Sequence, residues 1–248
     1  MNLIQALNSN NDKMIVEYLI AHFYQTYPDM RYVIDAGANM GFHFKRMNAL
    51  PQIQRCVGVE ANPEHISGLQ SLAIAHKSSL VAKALVGNNF SASEVTFKVN
   101  KMFHGRGGVK GSHIWELINP ELEFTEVTVP TIQLDCLIRE FFPSQLDFIK
   151  MDLEGSELGI LLNSSRVWEM NCIIVMENSV HGPTLNGITK EDWIGFVASK
   201  NYLLVDFNFE PCHPQTLFNY NHALLIPKTQ YQVAKDTFWR SVQLLGLT

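Results

Sequence analysis

The sequence predicts an α/β fold: a mostly parallel seven-stranded sheet with helices on both faces, an antiparallel hairpin at one edge and extra strands inserted between strands three and four. Three observations carry that prediction. Apolar runs of strand length alternate with segments of helical period. The first strand ends in V-I-D-A-G-A-N-M-G at Val33–Gly41, where Gly37, Asn39 and Gly41 all tolerate the positive φ that a sharp strand-to-helix turn requires. Near the C-terminus, the apolar runs Tyr202–Phe207 and Ala223–Ile226 are joined by residues 208–221, too short for a crossover helix, so they pair as a hairpin.

In chain order, Asp12–Gln25 carries Ile15, Tyr18, Leu19 and His22 at helical spacing and must stop before Pro28. Arg31–Ala36 is the opening strand, and a helix from Phe42 to Leu50 follows it. Arg55–Ala61 is a second buried strand, and Asn62-Pro63 starts a helix with proline at its favoured first position. Ser79–Val86 reads as the third strand. Glu94–Asn100 and Phe124–Leu134 then break the alternation as inserted strands. Between them lies His104–His113, glycine-dense and basic, either a lid over a substrate or a hairpin connection. Asp147–Leu153 restores the parallel pattern, with a helix from Ser156 to about Leu162 and a strand at Cys172–Met176. Thr189 with Asp192 forms a capping pair for a helix carrying Trp193, Phe196 and Val197. The last helix sets Tyr231, Ala234, Phe238, Val242 and Leu245 on one stripe. No second domain is expected in 1–248: residues 1–30 form a helical cover, 33–178 the core, and 179–248 complete the sheet.

Composition narrows the class. With 46% hydrophobic residues in 248, the chain can bury a sizeable core. No run approaches the roughly 20 apolar residues of a membrane span, and the N-terminus lacks the blocks of a signal peptide, so cytoplasmic residence is expected. Cys56, Cys136, Cys172 and Cys212 are scattered singly, which suits reduced thiols. A formal net charge of -5 offers no broad basic footprint, so the expected partner is a small-molecule or carbohydrate acceptor and not a nucleic acid.

In an open α/β sheet, ligands lie at the carboxyl ends of the strands. The polar residues there are Asp35 and its turn, Glu60 with Asn62, Asp152 with Glu154, and Glu177 with Asn178 and His181. A carboxylate closing the second strand suits a ribose's paired hydroxyls, which makes Glu60 the ribose candidate. A pyrophosphate would be repelled by Asp35 and Asp152, whereas a sulfonium and an α-amino group are cationic. The loop also lacks G-x-G-x-x-G, so S-adenosylmethionine is favoured over a dinucleotide.

Five blocks now stand in order: D-A-G-A-N-M-G at Asp35–Gly41, V-E-A-N-P at Val59–Pro63, T-I-Q-L-D at Thr131–Asp135, D-F-I-K-M-D-L-E-G-S-E at Asp147–Glu157 and V-M-E-N at Val175–Asn178. Together they resemble the FkbM-type methyltransferases. Cys136 stands where that family commonly has an acidic residue, and Ala61 where it usually has proline. The resemblance implies a Rossmann-like class I methyltransferase fold and an S-adenosylmethionine-dependent enzyme, commonly methylating hydroxyls of sugars or secondary metabolites.

On this reading Asp35, Gly37, Asn39, Gly41, Glu60, Ala61, Asn62 and Asp152 hold the donor, with Asp35 or Asp152 meeting its ammonium. Candidate bases for the acceptor proton are Asp152, Glu154, Glu177 and His181. Glu154 is equally suited to pairing Lys150 or capping the next helix, and Glu157 to solvent. Asp152, Glu154 and Glu177 would also suit Mg²⁺, although their spacing alone does not fix a coordination sphere. N-methylation, a nicotinamide-dependent oxidoreductase on a similar sheet, and an inactive nucleoside-binding scaffold are the competing readings.

Overall fold

Two sheets organise the chain. The computed structural model describes residues 12–100, 107–111, 121–217 and 222–247. Its elements are α1 (Asp12–Thr26), β1 (Tyr32–Ala36), α2 (Phe42–Ala49), β2 (Arg55–Glu60), α3 (Pro63–Leu72), β3 (Ser78–Ala82), β4 (Ala84–Val86), β5 (Glu94–Asn100), β6 (Gly108–Val109), β7 (Phe124–Gln133), α4 (Leu134–Phe141), β8 (Phe148–Met151), α5 (Glu157–Leu162), α6 (Arg166–Glu169), β9 (Ile173–Glu177), α7 (Gly182–Leu185), α8 (Lys190–Ser199), β10 (Tyr202–Val205), β11 (His222–Pro227) and α9 (Tyr231–Leu244).

The main sheet has seven strands in the order β10-β11-β9-β8-β1-β2-β3. Only β11 runs against its neighbours, so β10 and β11 form the expected edge hairpin. The chain leaves β1 for β2 and β3, then returns to place β8 on the other side of β1. That reversal puts the ligand-binding crevice of an open sheet at the carboxyl ends of β1 and β8. This is the Rossmann-like class I architecture that the resemblance implied.

Both faces are covered, as buried parallel strands require. Ile34, Val57, Ile149 and Ile174 face α4, α5, α6 and α8, where Leu137, Leu161, Trp168 and Trp193 meet them. Val33, Cys56, Phe148 and Val175 face α1, α2 and α9, which contribute Phe23, Tyr24, Phe44 and Phe238. The leading helix therefore does cover the sheet. Thr189 and Asp192 close a full capping box on α8. All four cysteines stand as free thiols, with Cys136 alone among them half-buried. Among the described residues, no helix is long and apolar enough to cross a membrane.

The expected third strand is two. Ser78–Ala82 pairs with β2 in the main sheet, whereas Ala84–Val86 pairs with Thr131–Gln133 of β7 in a separate four-stranded sheet ordered β4-β7-β5-β6. The break falls at Lys83, whose N–H turns back to the Val81 carbonyl at 3.0 Å. Continuous apolar character hid this change of sheet. The segment Leu134–Phe141, not anticipated as a helix, buries Leu134, Leu137 and Ile138 at helical spacing. Of His104–His113, residues 104–106 and 112–113 lie outside the described residues. Gly108–Val109 within it pairs with Phe97 and Lys98 as a hairpin strand.

Candidate active site

Strand alternation assembles the site. Side chains two residues apart share a face of a sheet, so Asp35 lies with Val33, Lys150 with Phe148, Glu177 with Val175 and His222 with Leu224, all on the face beneath α1 and α2. Register completes the row: Asp35 is paired with Lys150, and Glu177 with His222. From above, α1 supplies Glu17 and α2 supplies His43. Glu17 Oε2 is bonded to His43 Nε2, and His43 Nδ1 lies 3.2 Å from the Tyr24 hydroxyl. Burial would raise the Glu17 carboxyl, but the His43 bond, with the Lys150 charge behind it, overrides burial and brings it to about 2.

Lys150 is the centre of this row. Its Nζ lies 3.3 Å from Asp152 Oδ2, 3.5 Å from the Gly37 carbonyl and 3.8 Å from Asp35 Oδ1. Burial opposes its charge, yet Asp152 and Asp35 hold it above the ordinary lysine value. Asp35 is only 1% exposed, and burial outweighs Lys150 and raises its carboxyl. It does not line the cavity, which corrects the expectation that it meets the donor: the chain's own ammonium already stands between it and the crevice.

The turn after β1 has the predicted backbone, with Gly37, Asn39 and Gly41 at φ 77°, 50° and 87°. Its glycines serve the protein before any ligand. A Cβ on Gly37 would collide with the carbonyl oxygen of Asp152, and one on Gly41 would lie 2.5 Å from Leu72 Cδ1 on α3. Gly41 is thus a packing position between α2 and α3. Glu60 ties the turn to β2: Asn39 N–H donates to Oε2 at 2.6 Å and Asn62 N–H to Oε1 at 2.7 Å. Burial raises the Glu60 carboxyl against the lowering effect of these amides. The Asn62 side chain caps α3 by accepting from Glu64 N–H at 3.1 Å.

These residues border a cavity of about 490 Å³, lined by the turn, by Glu60, Ala61 and Asn62, and by Lys150, Asp152 and Glu154, while Leu85, Phe97 and Val109 close it from the second sheet. Glu17 and His43 also line it. A volume of that order suits a nucleoside-sized ligand.

The loop after β8 is built by Glu157, which is not solvated. It is 2% exposed, and its carboxylate accepts from Leu153 N–H and, at 3.0 Å, from Gly155 N–H. That clamp holds Glu154 at φ 56°. Burial, reinforced by Asp152 and Glu154, pushes Glu157 up to about 8 despite the lowering effect of its own amide and that of Leu153. Glu157 thus braces the loop that leads into α5 and does not cap the helix, whose N-cap residue Ser156 makes no side-chain capping bond. Glu177 stands behind Asp152, and an oxygen of each lies within 4.8 Å of the other and of Glu157. A second group of the same tightness joins Glu17, Asp152 and His222. The oxygen set expected for Mg²⁺ is corrected accordingly: Glu154 belongs to neither group, and Lys150 already neutralises Asp152. His181 precedes α7, with its N–H on Ser179 Oγ at 3.2 Å, and is not among the residues that line the cavity. Sequence reasoning missed Glu17, His43 and His222; only register and tertiary packing bring them to Asp152. The motif residue Asp135 is structural, accepting from Asn88 Nδ2, Ser165 N–H and Oγ, and Arg166 N–H.

Residues 35–204 match the family described as Methyltransferase FkbM domain. No curated protein matches the chain in sequence. Among solved structures, the plantazolicin methyltransferase BpumL in complex with SAH is similar at 12% identity and a TM-score of 0.42, covering 90% of this chain and 93% of that one. Aeropyrum pernix fibrillarin with natively bound S-adenosyl-L-methionine is similar at 11% and 0.40, covering 84% and 74%. An rRNA methylase from Streptococcus thermophilus is similar at 8% and 0.41, covering 83% and 92%. With a family match running from Asp35 at the end of β1 to Leu204 on β10, the chain belongs to the FkbM-type methyltransferases, enzymes that depend on S-adenosylmethionine.

Proposed function

We propose that the chain methylates a hydroxyl oxygen of a sugar, glycan or secondary metabolite. The carrying observation is the gathering of proton acceptors beside the cavity: Glu17 and Asp152 line it, and His222 stands behind them with atoms of all three within 4.8 Å of one another. A neutral amine can attack before losing its proton, but an alcohol needs a base beside it, so this density of bases favours oxygen over nitrogen.

When bound, S-adenosylmethionine supplies a methyl group already activated on a sulfonium. The residues present fit it. Glu60, which lines the cavity, has acceptor capacity for ribose hydroxyls beyond the main-chain amides of Asn39, Ala61 and Asn62. Gly37 and Asn39 line the wall beside it while Gly41 sets the backbone of the turn behind them, Ala61 and Asn62 continue that wall, and Asp152 would face the cationic end. Phe97, Leu85 and Val109 exclude water. The acidic cluster around Asp152, with His222 and Glu177 behind it and Glu154 on the cavity wall, is the base for the acceptor proton. Alignment of acceptor and donor supplies the remaining acceleration, worth about 7–11 kcal/mol where reacting atoms are well placed.

The test is incubation with donor labelled in its methyl group against a panel of sugars, glycans and secondary metabolites, with mass spectrometry to locate the label. Label on oxygen supports the proposal. Label on nitrogen overturns it, and so does calorimetry that finds NAD(H) bound and S-adenosylhomocysteine not bound.

A further inference from the structure

We propose that Lys150 and Asp152 form a clamp for the zwitterionic amino-acid head of the donor, Lys150 taking its carboxylate and Asp152 its ammonium. This rests on the donor reading above and assigns the end of the molecule that the glycine turn was expected to hold.

The turn has little left to offer an anion. Gly37 and Ala38 N–H groups both donate to the Val59 carbonyl, at 2.9 and 3.0 Å, and Gly41 N–H donates to Ala38 at 2.8 Å. Asn39 N–H is taken by Glu60. A carboxylate entering beside the turn must therefore be met by a side chain, because each main-chain N–H bonds only once well.

Lys150 has the capacity. An ammonium carries three donors, and charge-assisted N–H···O bonds settle at about 2.7–2.9 Å. Its contacts at 3.3, 3.5 and 3.8 Å are all longer than that. The side chain is 6% exposed and still borders the cavity, so the space beyond it is the crevice and not bulk solvent. Asp35, in register on β1, supplies a fixed counter-charge beneath it and accepts no hydrogen bond from any described residue at either oxygen. Lys83 also borders the cavity but is exposed and lies beyond the end of β3. Lys150 and Asp152 sit two residues apart with opposite charges on one rim, which is the polarity pattern of an α-amino acid.

Calorimetry on the full chain tests this with four probes: S-adenosylmethionine, S-adenosylhomocysteine, decarboxylated S-adenosylmethionine, which keeps the ammonium only, and 5′-methylthioadenosine, which has no amino-acid head. In the wild type, loss of the carboxylate should weaken binding on the order of 10- to 100-fold relative to S-adenosylmethionine. Lys150→Met should lower S-adenosylhomocysteine affinity by a similar factor, on the order of 10- to 100-fold, and leave methylthioadenosine unchanged. Because Lys150→Met strands Asp35, the double variant Asp35→Asn with Lys150→Met is measured alongside it, and Asp35→Asn alone should retain S-adenosylhomocysteine. Asp152→Asn should weaken the three probes that carry the ammonium. The clamp is overturned if the wild type binds decarboxylated donor as well as intact donor, or if the double variant loses all probes equally. Failure of the wild type to bind any of them, methylthioadenosine included, overturns the donor reading and the clamp with it.

Discussion

Gly37 is packed so closely on Asp152 that a Cβ at the former would fall inside the van der Waals shell of the latter's carbonyl oxygen, with the carbonyl carbon at 2.9 Å. The contact joins the first turn to the end of β8 across the point where strand order reverses. At φ 77°, an alanine there carries the left-handed penalty of about 1–2 kcal/mol, and it must also push backbone against backbone. Gly37→Ala should therefore lower unfolding stability by about 3 kcal/mol or more and abolish binding of S-adenosylhomocysteine. Urea unfolding checks the first effect and calorimetry the second; unchanged stability would show that the turn and β8 are not held together as described.

Glu60 is asked both to fix the turn and to meet the donor, and the two tasks separate experimentally. In Glu60→Gln one amide oxygen remains, while the amide nitrogen confronts an N–H that formerly donated to it. Stability should fall by about 2 kcal/mol, the cost of one lost bond to a charged acceptor. Affinity for S-adenosylhomocysteine should fall on the order of 10- to 100-fold. The ribose role is read from the 2′-deoxy analogue: the wild type should distinguish it from S-adenosylhomocysteine, and the variant should not. Equal discrimination by both would leave Glu60 as a turn brace only.

Much of this was legible before any coordinates. Residues of parallel strands, buried on both faces, are conspicuous as apolar runs, and Asn62-Pro63 and Thr189–Asp192 announce helix starts through local chemistry. What was not legible depended on register. Ser79–Val86 looks continuous because both of its sheets ask for apolar side chains; nothing local marks the transfer at Lys83. Asp35 reads as a rim residue from its position in the motif, but pairing with Lys150 sinks it below the cavity. Alternation on β8 could have placed Lys150 on the same face as Asp152. Glu17 and His222 carry no local signal, since they reach Asp152 from opposite ends of the chain.

Asp135 illustrates how a motif residue can be wholly structural. Its carboxylate joins Asn88, Ser165 and the first residue of α6 at distances of 2.7 to 3.1 Å, and stands apart from the cavity. These bonds favour the ionised form against the effect of burial, holding the carboxyl below its usual range. Asp135→Ala would leave polar groups of three residues unpaired, a loss of about 3 kcal/mol. Donor affinity, measured at a temperature where the variant is folded, should not change. A loss of affinity with intact stability would reverse that assignment.

Glu17 gives the sharpest pH signature, because its folded-state value of about 2 lies well below the ordinary 4.5. The sign follows from linkage: a carboxyl depressed in the folded state stabilises it above the unfolded value, and the contribution is lost as pH falls from about 4.5 towards 2. That depression corresponds to roughly 3 kcal/mol, expressed fully near neutrality. Asp35 and Glu157 shift in the opposite direction, but they are common to wild type and variant, so the difference isolates Glu17. Glu17→Gln should be less stable than wild type by about 3 kcal/mol at pH 7. The gap should close as the pH is brought down to 3 and below. Urea unfolding at half-unit intervals between pH 3 and 7 measures it, and two parallel curves would mean that the bond from His43 does not hold α1 onto the site.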